Sequence, residues 1–333
     1  MPVLDTAGLI ENRVAAIRDY HRATGIARAE LDISGGVDSA VMLNLLQRAL
    51  GAEHVTAVYI GIHSGPEFRR RAREVAEQCG VPLVDFDATD LFDTMLARML
   101  KDLTAAGYDE HEVQQRLQRD RTVLGSIRSC LRAPIGRGFN RLTGGGVRHG
   151  TGNECEDRFL RFYQKGGDGE VDTNPIAMLI NGEVFQIGKG LGVPRSILTA
   201  VPSPDLHAIG ETHNDEDELR EMTGVHWTYS QVDADSGEYT YVGNIERLSR
   251  FVDEHPGLFA AAEPDWDALV AAARADRFAH TTSDEQAAEF LRSARKLEAG
   301  TRHKWNPNCP SLGERRDLVA LGLLTNELPV PAC

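Results

Sequence analysis

The sequence lacks long apolar runs and paired cysteines. Nowhere in its 333 residues does an apolar stretch approach the ~20 residues that a membrane-spanning helix needs. The N-terminal residues show no basic segment followed by an apolar one, so we expect no secretory signal. The five cysteines are scattered without a C-x-x-C pair. This pattern predicts a reduced, cytoplasmic protein without a membrane partner or a structural zinc site.

Basic charge is also scarce. There are 36 lysines and arginines against 50 aspartates and glutamates, which gives a net charge of -14. That balance argues against a nucleic-acid partner, because such proteins need cations to contact the phosphate backbone. One basic cluster exists, at Arg69, Arg70, Arg71 and Arg73. On a helix these side chains point in different directions, so we expect a solvated face.

The remaining sequence alternates between short β-rich runs and longer helical patterns. Strands are predicted at 29–33, 55–60 and 82–86, with helices between them at 38–50 and 68–79. This alternation predicts an α/β fold, a doubly wound parallel sheet with helices on both faces. A helical pattern at 109–132 should end at Pro134, because proline interrupts a helix, and the glycine-rich stretch that follows should be largely irregular. Residues 239–298 look helical, so we expect a core at 1–235 and a helical C-terminal extension at 236–333.

The most informative stretch follows the first predicted strand. Residues 31–40 read LDISGGVDSA, a strand that runs through a glycine pair into a helix. Glycines permit close backbone approach, and the amides of the first helical turn attract an anion such as a phosphate chain. The common phosphate loop G-x-x-x-x-G-K-[ST] is absent. The stretch instead resembles the SGGxDS loop of ATP pyrophosphatases, which cleave ATP between its α- and β-phosphates and adenylate a substrate.

Further motifs make the resemblance more specific. Residues 150–157 (GTGNECED), 162–169 (FYQKGGDG) and 172–177 (DTNPIA) resemble, in order, the GTGNxxE, FFTKYGDG and DINPIA segments of NAD synthetases of the ammonia-dependent type. The resemblance runs from about residue 8 to about residue 310 and implies an adenine nucleotide alpha hydrolase-like fold. It implies a reaction in which ATP adenylates a carboxylate, most simply that of deamido-NAD, and ammonia displaces AMP. It also implies Mg²⁺ and a homodimer.

The same resemblance assigns roles to individual residues. It implies that Asp38, Lys165 and Asp168 take part in catalysis. It implies that the phosphates of ATP are bound by Ser34, Gly35, Gly36, Val37, Ser39, Thr151, Ser203 and Lys304, with Lys304 in a C-terminal tail that closes on the core. The acid substrate would be bound by Arg128, Asp172, Glu218 and His303. Mg²⁺ would be bound by Asp38 and Glu156, whose carboxylate oxygens are suitable ligands for that ion.

At three positions, this sequence has an uncharged residue where the family has a positively charged one. Asn181 stands where the family has a phosphate-binding lysine, Cys130 stands for an arginine, and Trp305 for another. Compensation by other arginines would preserve NAD synthesis. The alternatives are a related amide synthetase acting on a different carboxylate, a nucleotide-binding protein without activity, or an ATP pyrophosphatase that transfers sulfur through Cys130 or Cys155.

Overall fold

The computed structural model describes residues 4–120, 122–201, 214–276, 283–304 and 312–327. Its centre is a parallel sheet in the order β3–β2–β1–β4. The strands are β1 (Ala29–Asp32), β2 (Val55–Gly61), β3 (Leu83–Asp87) and β4 (Val147–His149). Leu31 of β1 pairs with Ala57 of β2 on one side and with His149 of β4 on the other. A two-stranded antiparallel ribbon, β5 (Gln231–Val232) and β6 (Tyr239–Tyr241), lies apart from this sheet.

Helices surround the sheet and make up most of the C-terminal part. In chain order they are α1 (Thr6–Thr24), α2 (Val37–Leu50), α3 (Pro66–Cys79), α4 (Thr89–Ala105), α5 (Glu110–Arg119), α6 (Thr122–Leu142), α7 (Asn181–Leu191), α8 (Arg195–Leu198), α9 (Asp215–Thr223), α10 (Asn244–Glu254), α11 (Gly257–Ala260), α12 (Trp266–Ala275), α13 (Asp284–Thr301) and α14 (Arg315–Ala320). In the part of the chain described here, no helix is both long and apolar enough to cross a membrane.

The strand β2 shows why both faces of the sheet are covered. Its successive side chains point to opposite faces, and all seven residues are buried. Ala57 and Tyr59 join the core formed with α1, α2 and α7, whereas Val58 and Ile60 join a second core with α4 and α6. The predicted doubly wound parallel sheet is confirmed. A third core unites α10 to α13 with the turn at Phe159, so a helical C-terminal part is present, but the division at 235 stays a prediction.

The strand order creates a switch point between β1 and β4. The chain proceeds from β1 outward to β2 and β3, and then crosses back to place β4 on the other side of β1. In open α/β sheets, ligands bind beyond the carboxyl ends of the strands at such a point. The glycine loop after β1 and the residues that follow β4 therefore face a common crevice.

Three expectations about local structure were wrong. Pro134 lies inside α6, which continues to Leu142. The cost of an internal proline, about 3 kcal/mol, is offset because the following turns pack Ile135 and Phe139 against the second core. Residues 239–241 form a strand rather than a helix. Arg71 is buried with its guanidinium 4.7 Å from the centre of the Phe68 ring, and is not part of a solvated face.

A buried histidine pair predicts acid sensitivity. His21 donates through Nδ1 to the carbonyl of Ile26 (2.6 Å), so its Nε2 accepts from Nε2 of His149 at 3.0 Å. Burial, then the neighbouring His21, lowers the pKa of His149 to about 3. The unfolded chain therefore binds a proton between pH 6.5 and 3 that the native state excludes. Stability from this group is complete above pH 6.5 and falls by up to about 1.4 kcal/mol per pH unit below it.

We expect His149→Gln, which retains a donor toward His21, to remove this pH dependence. Urea unfolding of both proteins at pH 7 and pH 5 provides the measurement. Buried carboxylates with raised pKa values act in the opposite direction, so the informative quantity is the difference between the two slopes. Parallel slopes for the two proteins would contradict the assignment.

Candidate active site

The loop after β1 is built by glycine and two serines. Gly35 has a φ of 83°, and a Cβ at this position would lie 2.5 Å from the carbonyl oxygen of Phe68, so only glycine fits. The hydroxyls of Ser34 and Ser39 are 3.1 Å apart, and that of Ser39 donates to the carbonyl of Gly36 at 3.0 Å. These bonds fix the loop while α2 begins at Val37 and directs its first amides toward the crevice.

A cavity of about 700 Å³ opens in front of this loop. We call it the first cavity. One part is apolar and is lined by Val58, Ile60 and Phe68. The other part carries charge, with several carboxylates and Lys304. A cleft that combines an anion-binding loop with an apolar recess suits a nucleotide, whose base and phosphates have these opposite requirements.

Three half-buried carboxylates, Asp38, Glu156 and Asp215, face the first cavity together. Burial raises the pKa of Asp38 to about 6. Burial and then repulsion from Asp38 raise the pKa of Glu156 well above its usual value, and burial with repulsion from Glu218 raises that of Asp215 to about 7. Each carboxylate therefore disfavours ionisation of the others, and a bound cation would relieve this repulsion.

Asn153 holds two of these carboxylates in place. Its Nδ2 donates to Oδ1 of Asp38 (3.1 Å), and its Oδ1 accepts from the backbone amide of Glu156 (3.2 Å). Asn153 is fully buried. Sequence reasoning gave no role to Asn153 or to Asp215. Their signals were present, because Asn153 lies within the GTGN motif and Asp215 is one helical turn from Glu218.

The donor set fits a divalent cation such as Mg²⁺. It consists of carboxylate oxygens, and Oδ1 of Asp215 is buried without a hydrogen-bond partner among the described residues. Within the ranges that the structure describes, however, no three His, Cys, Asp or Glu side chains are close enough to hold a metal by themselves. A cation held by Asp38 and Glu156 would complete its shell with phosphate and water oxygens, as Mg²⁺ commonly does.

The structure brings most of the predicted site residues to the first cavity. The lining includes Ser34, Gly36, Val37, Asp38, Thr151, Glu156, Asp168, Glu218 and Lys304. Gly35 lies in the glycine loop and Ser39 in the first turn of α2, but neither is in the lining of the cavity. Ser203 and Trp305 lie outside the described residues. The assigned roles of all these residues stay predictions.

Four predicted residues are not in the lining of the first cavity: Lys165, Arg128, Asp172 and His303. Lys165 is exposed in a turn, and His303 follows α13. Arg128 is buried with its guanidinium 5.7 Å from the centre of the Phe92 ring. Both carboxylate oxygens of Asp172 accept from Arg137, at 2.9 and 2.8 Å, which occupies them with an ion pair.

Lys304 and Asp168 are both positioned by hydrogen bonds. Nζ of Lys304 donates to the carbonyls of Tyr163 (2.8 Å) and Arg161 (3.2 Å), and burial lowers its pKa. Oδ1 of Asp168 accepts from the hydroxyl of Ser129 at 2.8 Å and from the amide of Gln164 at 2.7 Å. Lys304 thus lies in the lining of the first cavity, while the closure of the C-terminal tail on the core stays a prediction.

The cysteines do not favour sulfur chemistry. Cys155 is fully buried, and burial followed by repulsion from Glu246 raises the pKa of its thiol well above the usual value. Burial likewise raises the pKa of Cys130. Sulfur carriers need a readily formed thiolate, and the raised pKa disfavours the thiolate in both cysteines.

The parallel sheet carries an SGGxDS loop and several carboxylates at its switch point. These features define a nucleotide-binding α/β protein, and comparison with known proteins identifies its family. Residues 9–234 match the family model described as NAD synthase. NH(3)-dependent NAD(+) synthetases from Halobacterium salinarum and Methanococcoides burtonii are each 34% identical to it. The alignments cover 63% of this chain in both cases, and 74% and 71% of those proteins. The chain belongs to the NAD synthase family, and the prediction of a carbon–nitrogen ligase of this kind is confirmed.

Solved structures agree on the fold. The NMN synthetase from Francisella tularensis superposes with a TM-score of 0.63 at 18% identity, over 92% of this chain and 99% of that one. The NAD+ synthetase from Burkholderia pseudomallei superposes with a TM-score of 0.51 at 23% identity, over 77% of this chain and 90% of that one. The likeness to the Francisella structure therefore extends well beyond the 226 residues matched by the family model, 9–234.

Proposed function

We propose that the protein uses ATP and ammonia to convert the nicotinate carboxylate of deamido-NAD into the amide of NAD. The observation that carries the proposal is the first cavity, where an anion-binding loop faces Asp38 and Glu156 at the switch point of the sheet. Membership in the NAD synthase family supports the same reaction. A carboxylate is a poor electrophile, and adenylation supplies the leaving group that an amide synthesis requires.

Each part of the first cavity has a task in this reaction. The loop amides and the hydroxyl of Ser34 bind the phosphates of ATP, while Val58, Ile60 and Phe68 offer an apolar surface to adenine. Asp38 and Glu156 would hold Mg²⁺, which when bound neutralises phosphate charge and makes pyrophosphate a better leaving group. Lys304 adds a cation at the rim, and the surrounding buried surface keeps water from the acyl-adenylate.

The direct test is an assay of products. Protein, ATP, Mg²⁺, deamido-NAD and ammonium should yield AMP, pyrophosphate and NAD in equal amounts. Release of AMP with nicotinate mononucleotide or another acid, but not with deamido-NAD, would indicate a different substrate. Formation of ADP would contradict cleavage between the α- and β-phosphates. Absence of any product with every acid would favour a nucleotide-binding protein without activity.

The homodimer and the cytoplasmic location stay predictions from the family and the composition. Sedimentation equilibrium of the purified protein tests the first. A mass equal to twice 36.5 kDa is expected, and the monomer mass alone would contradict it.

Asn181 offers a test of how the site binds phosphate. It is 4% exposed, lines the first cavity and begins α7, and its Oδ1 has no hydrogen-bond partner among the described residues. We expect Asn181→Lys to lower the KM for ATP about tenfold, because a charge-assisted hydrogen bond contributes about 1.5–3 kcal/mol. Asn181→Gln, which is longer but neutral, is the matched control. An unchanged or higher KM in the lysine variant would show that this position does not face the phosphates.

A further inference from the structure

A second cavity, of about 830 Å³, adjoins the first. The two cavities share five lining residues: Thr151, Glu156, Phe162, Tyr163 and Asp168. An acyl group activated in the first cavity would therefore be separated from the second by this wall alone. Another part of the lining of the second cavity comes from Arg250, Asp253 and residues 313–316, which lie beyond the family match at 9–234.

The charges of the second cavity favour a cation. Its lining contains six carboxylates and four arginines: Glu154, Glu156, Asp157, Asp168, Asp253 and Glu314 against Arg158, Arg250, Arg315 and Arg316. All four arginines are already engaged in ion pairs. Arg158 pairs with Asp253, Arg250 with Glu154, Arg315 with Glu183, and the exposed Arg316 with Asp317. The carboxylates on the shared side are thus left in excess, and a cleft lined by one sign of charge concentrates the opposite ion.

Within this wall, Asp157 and Asn174 form a cluster of hydrogen-bond acceptors. Nδ2 of Asn174 donates to Oδ2 of Asp157 and to the carbonyl of Gly152, both at 2.8 Å. Because both neighbours are acceptors, the orientation of the amide is determined. Oδ1 of Asn174 then accepts no hydrogen bond from the described residues, and water has little access to it because the residue is only 5% exposed. A buried acceptor without a partner is costly and indicates a missing donor.

We propose that the second cavity admits ammonium and that Asp157 and Asn174 bind it beside the shared wall. Ammonium is a small cation with four N–H donors and no acceptor, which matches a carboxylate next to an unpaired carbonyl oxygen. ATP would then bind in the first cavity beside the glycine loop, and the nitrogen source would reach the shared wall from the second cavity. This inference rests on the proposed amide synthesis, and it names the nitrogen-binding part of the same site.

Asp157→Asn is the variant that tests the proposal. It keeps the shape and an acceptor but removes the charge, so the KM for ammonium should rise at least about tenfold. Pyrophosphate release in the absence of ammonium should stay unchanged, because the adenylation step uses the other cavity. Asp87→Asn, the same change at an exposed carboxylate that is not in the lining of the second cavity, is the matched control and should leave the KM for ammonium unaltered.

Hydroxylamine separates binding of a cation from a structural effect. It is uncharged at neutral pH and attacks an acyl-adenylate to give a hydroxamate, so it needs no cation site. The Asp157→Asn protein should form hydroxamate as well as the wild type does. Equal losses with ammonium and hydroxylamine, or a change in the Mg²⁺ requirement of pyrophosphate release, would overturn the proposal.

Direct binding gives a readout that does not need turnover. Titration of ¹⁵N-labelled ammonium, followed by its NMR line width, should show saturable binding to the wild type and none to Asp157→Asn. Absence of saturable binding in the wild type would refute the ammonium site. A wild type that binds ammonium but releases no pyrophosphate with any acid would refute the proposed function instead.

Discussion

Replacing Asp38 with asparagine is expected to lower kcat by a factor on the order of 10²–10³. A carboxylate that holds a metal ion against phosphate contributes several kcal/mol to the transition state, and each 1.36 kcal/mol changes the rate tenfold. The fold should survive, since the asparagine can still accept the hydrogen bond that Asn153 donates. The melting temperature should stay equal or rise, because the change removes one of the mutually repelling carboxylates.

Asp87 supplies the control for this experiment. It ends β3, is largely exposed, and its Oδ1 accepts from the amide of Thr89 at 3.0 Å, a bond that asparagine preserves. We expect Asp87→Asn to have normal activity. Steady-state rates and melting curves of both variants test whether Asp38 is needed for catalysis but not for the fold. If Asp38→Asn retained most of its activity, the metal assignment would be wrong.

Replacing Arg315 with methionine is expected to destabilise the protein by about 3–5 kcal/mol, because it leaves a buried glutamate without its cation. Two nitrogens of Arg315 each donate to a carboxylate oxygen of Glu183 at 2.8 Å, and one also donates to the carbonyl of Thr325 at 2.7 Å. The Glu183 side chain is fully buried. The measurement is the free energy of unfolding in urea.

The adjacent Arg316 is a matched control, since its side chain is 81% exposed. Arg316→Met should change stability by less than about 0.5 kcal/mol. Adding Glu183→Gln to Arg315→Met should recover part of the loss, because the unpaired charge is then removed. Similar losses in the two single variants would show that the buried ion pair does not secure the C-terminal segment.

Local patterns were sufficient to predict the sheet and its loop. The continuous apolar run of β2 and the glycine pair after β1 each determine structure through their own neighbours, and both predictions are confirmed. Pro134 failed for the opposite reason. Its effect on the helix is opposed by packing against residues far away in sequence, and a local rule does not include that packing.

The site could be predicted only where motif and geometry coincide. Asp38 and Glu156 lie in separate motifs, yet the switch point of the sheet places both at one cavity. Asp172 also lies in a motif, the one at 172–177, but its carboxylate forms an ion pair with Arg137 and is not in the lining of the first cavity. Nothing in the linear sequence distinguishes these cases, because the partner is 35 residues away in the chain. The pair of Asp157 and Asn174 was not predicted either, because the two residues are 17 positions apart and meet only in the folded structure.

The contact between Arg315 and Glu183 joins positions 132 residues apart. Closing so long a loop has an entropic cost and slows the formation of the contact. The pairing of Ala29 in β1 with Val147 in β4 spans 118 positions and has nearly the same cost, whereas the pairing of Ala29 with Val55 in β2 spans only 26. We therefore expect β1 and β2 to pair early in folding, and the crevice at the switch point to form in the same late stage as the ion pair that anchors the C-terminal segment.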